Sequence, residues 1–195
     1  MTVIAHGLDY ARFKLFGVLD ENFVRQRFAY IDVYIRMFHG SRFLDLTGKQ
    51  LELIRMFEDV DVAVREMAHI YPVNRIDVFV DVEGAHLGDV EQRGTVISNA
   101  GTIETIYSHH LKTRGDRPSF GRAYDARAAG HYLVDVTRYE VEYKREHARA
   151  LLGSDGWKVD PLGVTVRCIK AMFGVDVGIE GVKGVDLNAP QRRMS

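Results

Sequence analysis

Three separated segments alternate polar and apolar residues with a period of two: Arg75-Ile-Asp-Val-Phe-Val-Asp81, Gly121-Arg-Ala-Tyr-Asp125 and Arg138-Tyr-Glu-Val-Glu-Tyr-Lys144. Successive side chains of a strand point to opposite sides of a sheet. Read as strands, the segments therefore place Arg75, Asp77 and Asp81 on one face, Arg122 and Tyr124 on one face, and Arg138, Glu140, Glu142 and Lys144 on one face. Where those faces coincide, acids, arginines and a tyrosine share a polar surface. That set is the material of a metal-assisted phosphoryl-transfer site with a tyrosine nucleophile.

The rest of the chain must build a scaffold for such a surface. Its 195 residues, 46% hydrophobic and 27% charged, are enough to bury a core without disulfides and match an ordinary globular composition. One cysteine, Cys168, excludes an internal disulfide and a cysteine-rich zinc site, and agrees with a reducing, cytoplasmic setting. No apolar run reaches the roughly 18 residues of a membrane span and no basic, then apolar, leader opens the chain, so no membrane partner is expected.

Net charge is -1, with no overall basic excess to attract nucleic acid, yet the charges are unevenly placed. Lys112, Arg114, Arg117, Arg122 and Arg127 face only Asp116 and Asp125 in their stretch, whereas five acids and no base lie between Asp77 and Glu91. A basic loop beside an acidic strand suits a phosphate backbone with a divalent cation; a plain solvated surface carries the same charges.

Several elements follow from pattern. An opening strand or strand pair covers Val3 to Gly17, and a strand covers Phe28 to Phe38, ending in a His39-Gly40 turn. A short apolar stretch runs from Phe43 to Leu46. Thr47-Gly48 opens a helix to Phe57, and Asp59 to Tyr71 is the clearest helix, with Val60, Val64, Met67 and Tyr71 on one stripe before Pro72 ends it. Strands follow at Arg75 to Val82, near Thr102 to His109, at Arg122, and at Thr137 to Lys144. Helices are expected at Arg145 to Leu152 and at Pro161 to Phe173, the second with Val164, Cys168, Ile169 and Met172 inward. The order predicts an α+β domain over residues 1–174, a mostly antiparallel central sheet with helices mainly on one face, followed by a strand and tail over 175–195.

Taken in order, Leu44-Asp-Leu-Thr-Gly-Lys-Gln-Leu-Glu-Leu-Ile54, the amphipathic helix, Asn74 to Asp81, Glu104-Thr-Ile-Tyr107, Arg122-Ala-Tyr-Asp125 and Arg138 to Lys144 resemble the replication initiation factor family. These are the Rep-trans type of rolling-circle plasmid and phage initiators, and the resemblance covers about residues 43 to 150. It implies a relaxase-like, ferredoxin-like palm that nicks one strand of single-stranded or melted DNA at an origin. It also implies a tyrosine left on the 5′-phosphate, a Mg²⁺ or Mn²⁺ cofactor, and a host helicase as a possible partner. Tyr124 matches the family nucleophile. A phenol near pKa 10 needs a neighbouring cation, which Arg122 or Arg127 supplies; a half-buried strand tyrosine is the other reading of Tyr124. Asp77 and Asp81 are either metal ligands or salt-bridge partners of Arg75 and Arg138, and Glu140 is the third candidate ligand. Arg75, His109, Lys112, Arg114, Arg117, Arg127 and Arg138 are the candidate nucleic-acid contacts. The family commonly has Gly-Ser-Arg where this chain has Ser108-His109-His110, and a lysine where it has Ala126. A second reading is therefore a shortened, non-catalytic relative that serves as a binding or assembly module.

Overall fold

The computed structural model describes residues 1–90, 96–98, 104–109 and 119–178. Its strands are β1 (Thr2–Leu15), β2 (Tyr34–Phe38), β3 (Ser41–Thr47), β4 (Val73–Glu83), β5 (Val96–Ser98), β6 (Thr105–Tyr107), β7 (Ser119–Asp125), β8 (Val136–Lys144) and the two-residue pair β9 (Leu152–Gly153) and β10 (Gly156–Trp157). The helices are α1 (Val18–Arg27), α2 (Gly48–Arg55), α3 (Val60–Ile70), α4 (Arg145–Leu151) and α5 (Pro161–Phe173). This is an α+β fold. The pairings β1 with β3, β2 with β3, β5 with β6 and β6 with β7 are all antiparallel. No described helix is long and apolar enough to cross a membrane.

Residue contacts divide the chain into two compact units. One comprises Met1–Gly7, Val78–Glu142 and Asp160–Ser195, the other Leu8–Asp77 and Tyr143–Val159. The second unit carries the strand order β2-β3-β1-β4. In its sheet, Ala11, Phe13, Leu15, Leu44 and Leu46 are buried on one face, because the alternation of β1 and β3 brings these apolar residues to the same side. α2 and α3 add Leu51, Ile54, Val60, Val64 and Met67 to this unit's core. α3 starts where Asp59 accepts a hydrogen bond from the Val62 amide at 3.1 Å, satisfying one of the donors that a helix start leaves open.

The first unit carries β4-β8-β7-β6-β5. α5 is well delimited: Asp160 accepts from the amides of Leu162 at 3.1 Å and Gly163 at 3.0 Å, Pro161 occupies the first turn, and Gly174 closes the helix at φ 71°. The helix packs on the face of β7 that carries Gly121. A Cβ at residue 121 would lie 2.7 Å from Met172 Sδ and 2.9 Å from a Phe173 ring carbon, so only glycine admits the helix this closely. Tyr139 of β8 meets the same Phe173, with ring centroids 5.7 Å apart. α5 therefore covers the Gly121 and Tyr139 side, and the alternation turns Arg122, Tyr124, Arg138 and Glu140 to the other side.

Some expectations change in detail. α1 has no strong apolar stripe, and only Val24 of it is buried, so its sequence gives little helical periodicity. The strand expected from Phe28 begins only at Tyr34, because Phe28 closes α1 by donating its amide to the Val24 carbonyl at 3.0 Å. In α5, Ile169 faces inward as expected, but the buried stripe runs through Leu162, Thr165, Val166 and Phe173, leaving Val164, Cys168 and Met172 partly exposed. Val175 and Val177 are buried without regular secondary structure.

Candidate active site

β6, β7 and β8 position the first cluster. Thr105 pairs with Tyr124 and Tyr107 with Arg122 across the antiparallel β6-β7 ladder, so all four side chains share one face. On that face the Tyr124 hydroxyl donates to Glu140 Oε1 at 2.5 Å, and Arg122 binds Glu140 Oε2 through Nε and Nη2. Glu140 is buried, while the Arg122 side chain is 37% exposed. A cavity of about 240 Å³ opens here, lined by Thr105, Tyr107, Arg122, Tyr124, Ala129 and His131. The His131 ring lies 6.4 Å from that of Tyr124. Phenol, carboxylate and guanidinium thus form one chain of charge-assisted hydrogen bonds at the edge of this cleft.

A second cluster lies in the same unit. Arg138 binds both oxygens of Asp81, at 2.6 and 2.7 Å, and the Tyr132 hydroxyl donates to Asp81 Oδ2 at 2.6 Å. The Arg138 guanidinium also stacks over the Phe79 ring at 4.2 Å. Burial works against its charge, but the hydrogen bonds and charge of Asp81, with the electrostatic pull of Tyr124 and Glu140, outweigh it and hold Arg138 charged beyond even the usual arginine range. Burial, then the Asp81 charge, push the Tyr132 phenol above its ordinary range. Tyr132 was not anticipated from sequence. It sits in the turn between β7 and β8, closed by a bond from the Ala126 amide to the Val136 carbonyl at 2.8 Å.

The other unit holds a third arrangement of the same kind. Arg12 binds Asp45 at 2.6 and 3.0 Å, Arg36 reaches the same carboxylate at 3.0 Å, and the Tyr10 phenol is pushed up by burial and then by its hydrogen bond to Asp45. Arg75 lies over the Tyr10 ring at 4.4 Å and binds Asp77 at 2.7 and 2.5 Å. Tyr10, Arg12 and Asp45 also escaped the sequence reading. One signal was present: Tyr10-Ala-Arg12 repeats Arg122-Ala-Tyr124 in reverse.

Of the residues expected at the site, Arg122, Tyr124 and Glu140 come together. Asp81 and Arg138 form their own pair, and Asp77 pairs with Arg75 in the other unit. The salt-bridge alternative for the two aspartates is thus the arrangement found. Arg138, expected to reach nucleic acid, has a side chain only 1% exposed and is spent on Asp81. Arg127 bonds Asp135 at 2.7 Å on the surface, and His109 is half-buried. Lys112, Arg114 and Arg117 lie outside the described residues. Asp77, Asp81 and Glu140 are each held by an arginine, and among the described residues no group of three His, Cys, Asp or Glu is placed to share an ion.

Neither a protein-family model nor a curated protein sequence matches the chain. Among solved structures it is similar to the rolling circle replication initiator protein from Geobacillus stearothermophilus, with a TM-score of 0.56 and 14% identity over 87% of this chain and 85% of that one. At that identity the likeness is one of fold: the chain has the fold of a rolling-circle replication initiator.

Proposed function

We propose that this protein nicks and rejoins single-stranded DNA to start rolling-circle replication, with Tyr124 as the nucleophile. The observation that carries the proposal is the 2.5 Å bond from the Tyr124 hydroxyl to Glu140, with Arg122 on the other carboxylate oxygen, at the mouth of a cleft. In the forward step the Tyr124 oxygen attacks the scissile phosphorus and the phenolic proton passes to Glu140. The bond from phosphorus to the 3′-oxygen breaks, and that oxygen takes a proton from water and leaves as a hydroxyl. The 5′-phosphate remains esterified to Tyr124, and rejoining is the reverse, with the 3′-hydroxyl displacing the tyrosine. Arg122, partly exposed beside the phenol, is placed to balance the negative charge that builds on the phosphoryl oxygens.

The fold likeness to a replication initiator supports the same reading. The test is a labelled single-stranded oligonucleotide library incubated with the protein, with and without Mg²⁺ or Mn²⁺, followed by a search for a denaturation-resistant protein-DNA adduct. Wild type is expected to form the adduct and Tyr124→Phe to lose it while the ring still packs; Tyr107→Phe keeps it. An adduct that survives Tyr124→Phe and disappears in Tyr107→Phe moves the nucleophile, and no adduct under any condition favours a non-catalytic binding module.

A further inference from the structure

The second unit presents a sheet face that the chemistry at Tyr124 does not use. Across β2 and β3, Tyr34 pairs with Asp45 and Arg36 with Phe43; across β1 and β3, Arg12 pairs with Asp45 and Lys14 with Phe43. Paired residues share a face, so Tyr34, Arg36 and Phe38 lie on the same side as Arg12 and Lys14, opposite the Phe13 and Leu44 core. The Arg36 bond to Asp45 and the Arg75 stack on Tyr10 fix this assignment independently. Tyr34 is 45% and Phe38 60% exposed, and the Arg36 side chain between them 61%. Among the residues that these pairings place on this face, Arg12, Lys14, Arg36 and Arg75 outnumber Asp45 and Asp77 by two charges.

We infer that this face, with Tyr34 and Phe38 as stacking platforms and Arg36 between them, is a track for single-stranded DNA. β2 ends the strand order, and among the described residues both rings are open to solvent. Two exposed rings about 13 Å apart on a strand that rises roughly 3.3 Å per residue, with a cation midway, match alternating bases and phosphates. A protein strand added along β2 would read its backbone and gain nothing from the surplus charge, whereas a polyanion gains from it directly. Charge complementarity therefore selects the nucleic acid. The assignment rests on the nucleic-acid part of the proposed function but is independent of Tyr124 as nucleophile.

The test measures binding of a fluorescein-labelled single-stranded oligonucleotide by anisotropy across a salt series, with the adduct assay run in parallel. Tyr34→Ala combined with Phe38→Ala is expected to weaken binding at least about fivefold per ring, since one base stacked on an aromatic ring contributes at least that much. Tyr34→Phe should keep the affinity, because stacking needs the ring and not the hydroxyl. Arg36→Gln should lower the slope of log affinity against log salt by about 0.7, the contribution of one phosphate contact on a single strand. Thermal melting of each variant separates lost contact from lost fold: a variant that melts early is replaced by Tyr34→Ser with Phe38→Ser. Unchanged affinity in a folded double variant overturns the inference, as does a wild type that binds no single strand, or a concentration-dependent dimer that the double variant abolishes without touching DNA affinity. Binding that depends on both rings in a protein forming no adduct leaves this track standing and removes the nicking step; an adduct with ring-independent binding does the reverse.

Discussion

Arg138 closes both oxygens of Asp81 with a two-point salt bridge at 2.6 and 2.7 Å, and neither side chain has more than 1% of its surface in water. A buried pair of this kind is costly to break from one side, because the survivor keeps its charge without a partner. Arg138→Ala is expected to lower unfolding free energy by about 3–5 kcal/mol. Arg138→Leu with Asp81→Leu should lose far less, although Tyr132 then loses its acceptor. Urea denaturation followed by circular dichroism checks both. Equal losses in the single and double variants would mean that packing around Phe79, and not the ion pair, dominates.

Glu140 is predicted to act through its proton affinity. Glu140→Gln keeps the shape and one acceptor oxygen but takes no proton from Tyr124, so adduct formation should slow by roughly 10²–10⁴ while oligonucleotide affinity stays near wild type. Single-turnover gel assays with excess protein read the rate directly. A rate within a factor of three of wild type removes Glu140 from the proton's path and leaves it the task of orienting Arg122.

Alkaline stability should bear the mark of Tyr132. Its phenol is held above the ordinary value by burial and then by Asp81, so the folded state retains a proton that the unfolded chain releases from about pH 10 upward. Below that pH both states are protonated, and the contribution is fully present. Above it the unfolded state binds fewer protons than the folded one, and stability falls as pH rises. In urea titrations between pH 9 and 11.5, chosen to bracket the phenol range, Tyr132→Phe should fall less steeply than wild type, by up to about 1.4 kcal/mol per pH unit. Identical slopes assign the alkaline loss to other raised phenols such as Tyr10 and Tyr139.

Gly121→Ala places a methyl group where Met172 and Phe173 already sit, at 2.7 and 2.9 Å. Overpacking of this size costs about 1–3 kcal/mol. Met172→Ala introduced with it should recover part of the loss, because the sulfur is the nearer obstacle. Chemical denaturation midpoints decide, and full tolerance of Gly121→Ala would show that α5 shifts without resistance.

Strong periodicity makes much of this fold legible in the sequence. The alternation in Arg75 to Val82 and Thr137 to Lys144 gave β4 and β8, with Ile76, Val78, Val80 and Val82 buried as one row, and the stripe in Asp59 to Tyr71 gave α3. α1 stays hidden because exposed Val18, Leu19 and Phe23 blur its period. At the site, alternation puts Arg122 beside Tyr124 but does not choose a partner strand, so the hydrogen bond from Tyr124 to Glu140 is not legible in the sequence. Tyr132 reaches Asp81, 51 positions away, from a turn without a pattern, and Asp45 meets Arg12 only because β3 pairs with β1. Such contacts are properties of strand pairing, which local composition does not encode.

The seat of α5 on Gly121 also ties the packing on one face of β7 to the chemistry on the other. β7 carries its packing residues and its reactive residues on alternate positions, so a slip of one residue would put Tyr124 against the helix and Ala123 in the cleft. Docking of Phe173 against the bare backbone of Gly121 acts as a ratchet stop for that slip. Packing on one face of β7 thereby keeps Tyr124 on the side of the sheet where Glu140 accepts its hydrogen bond.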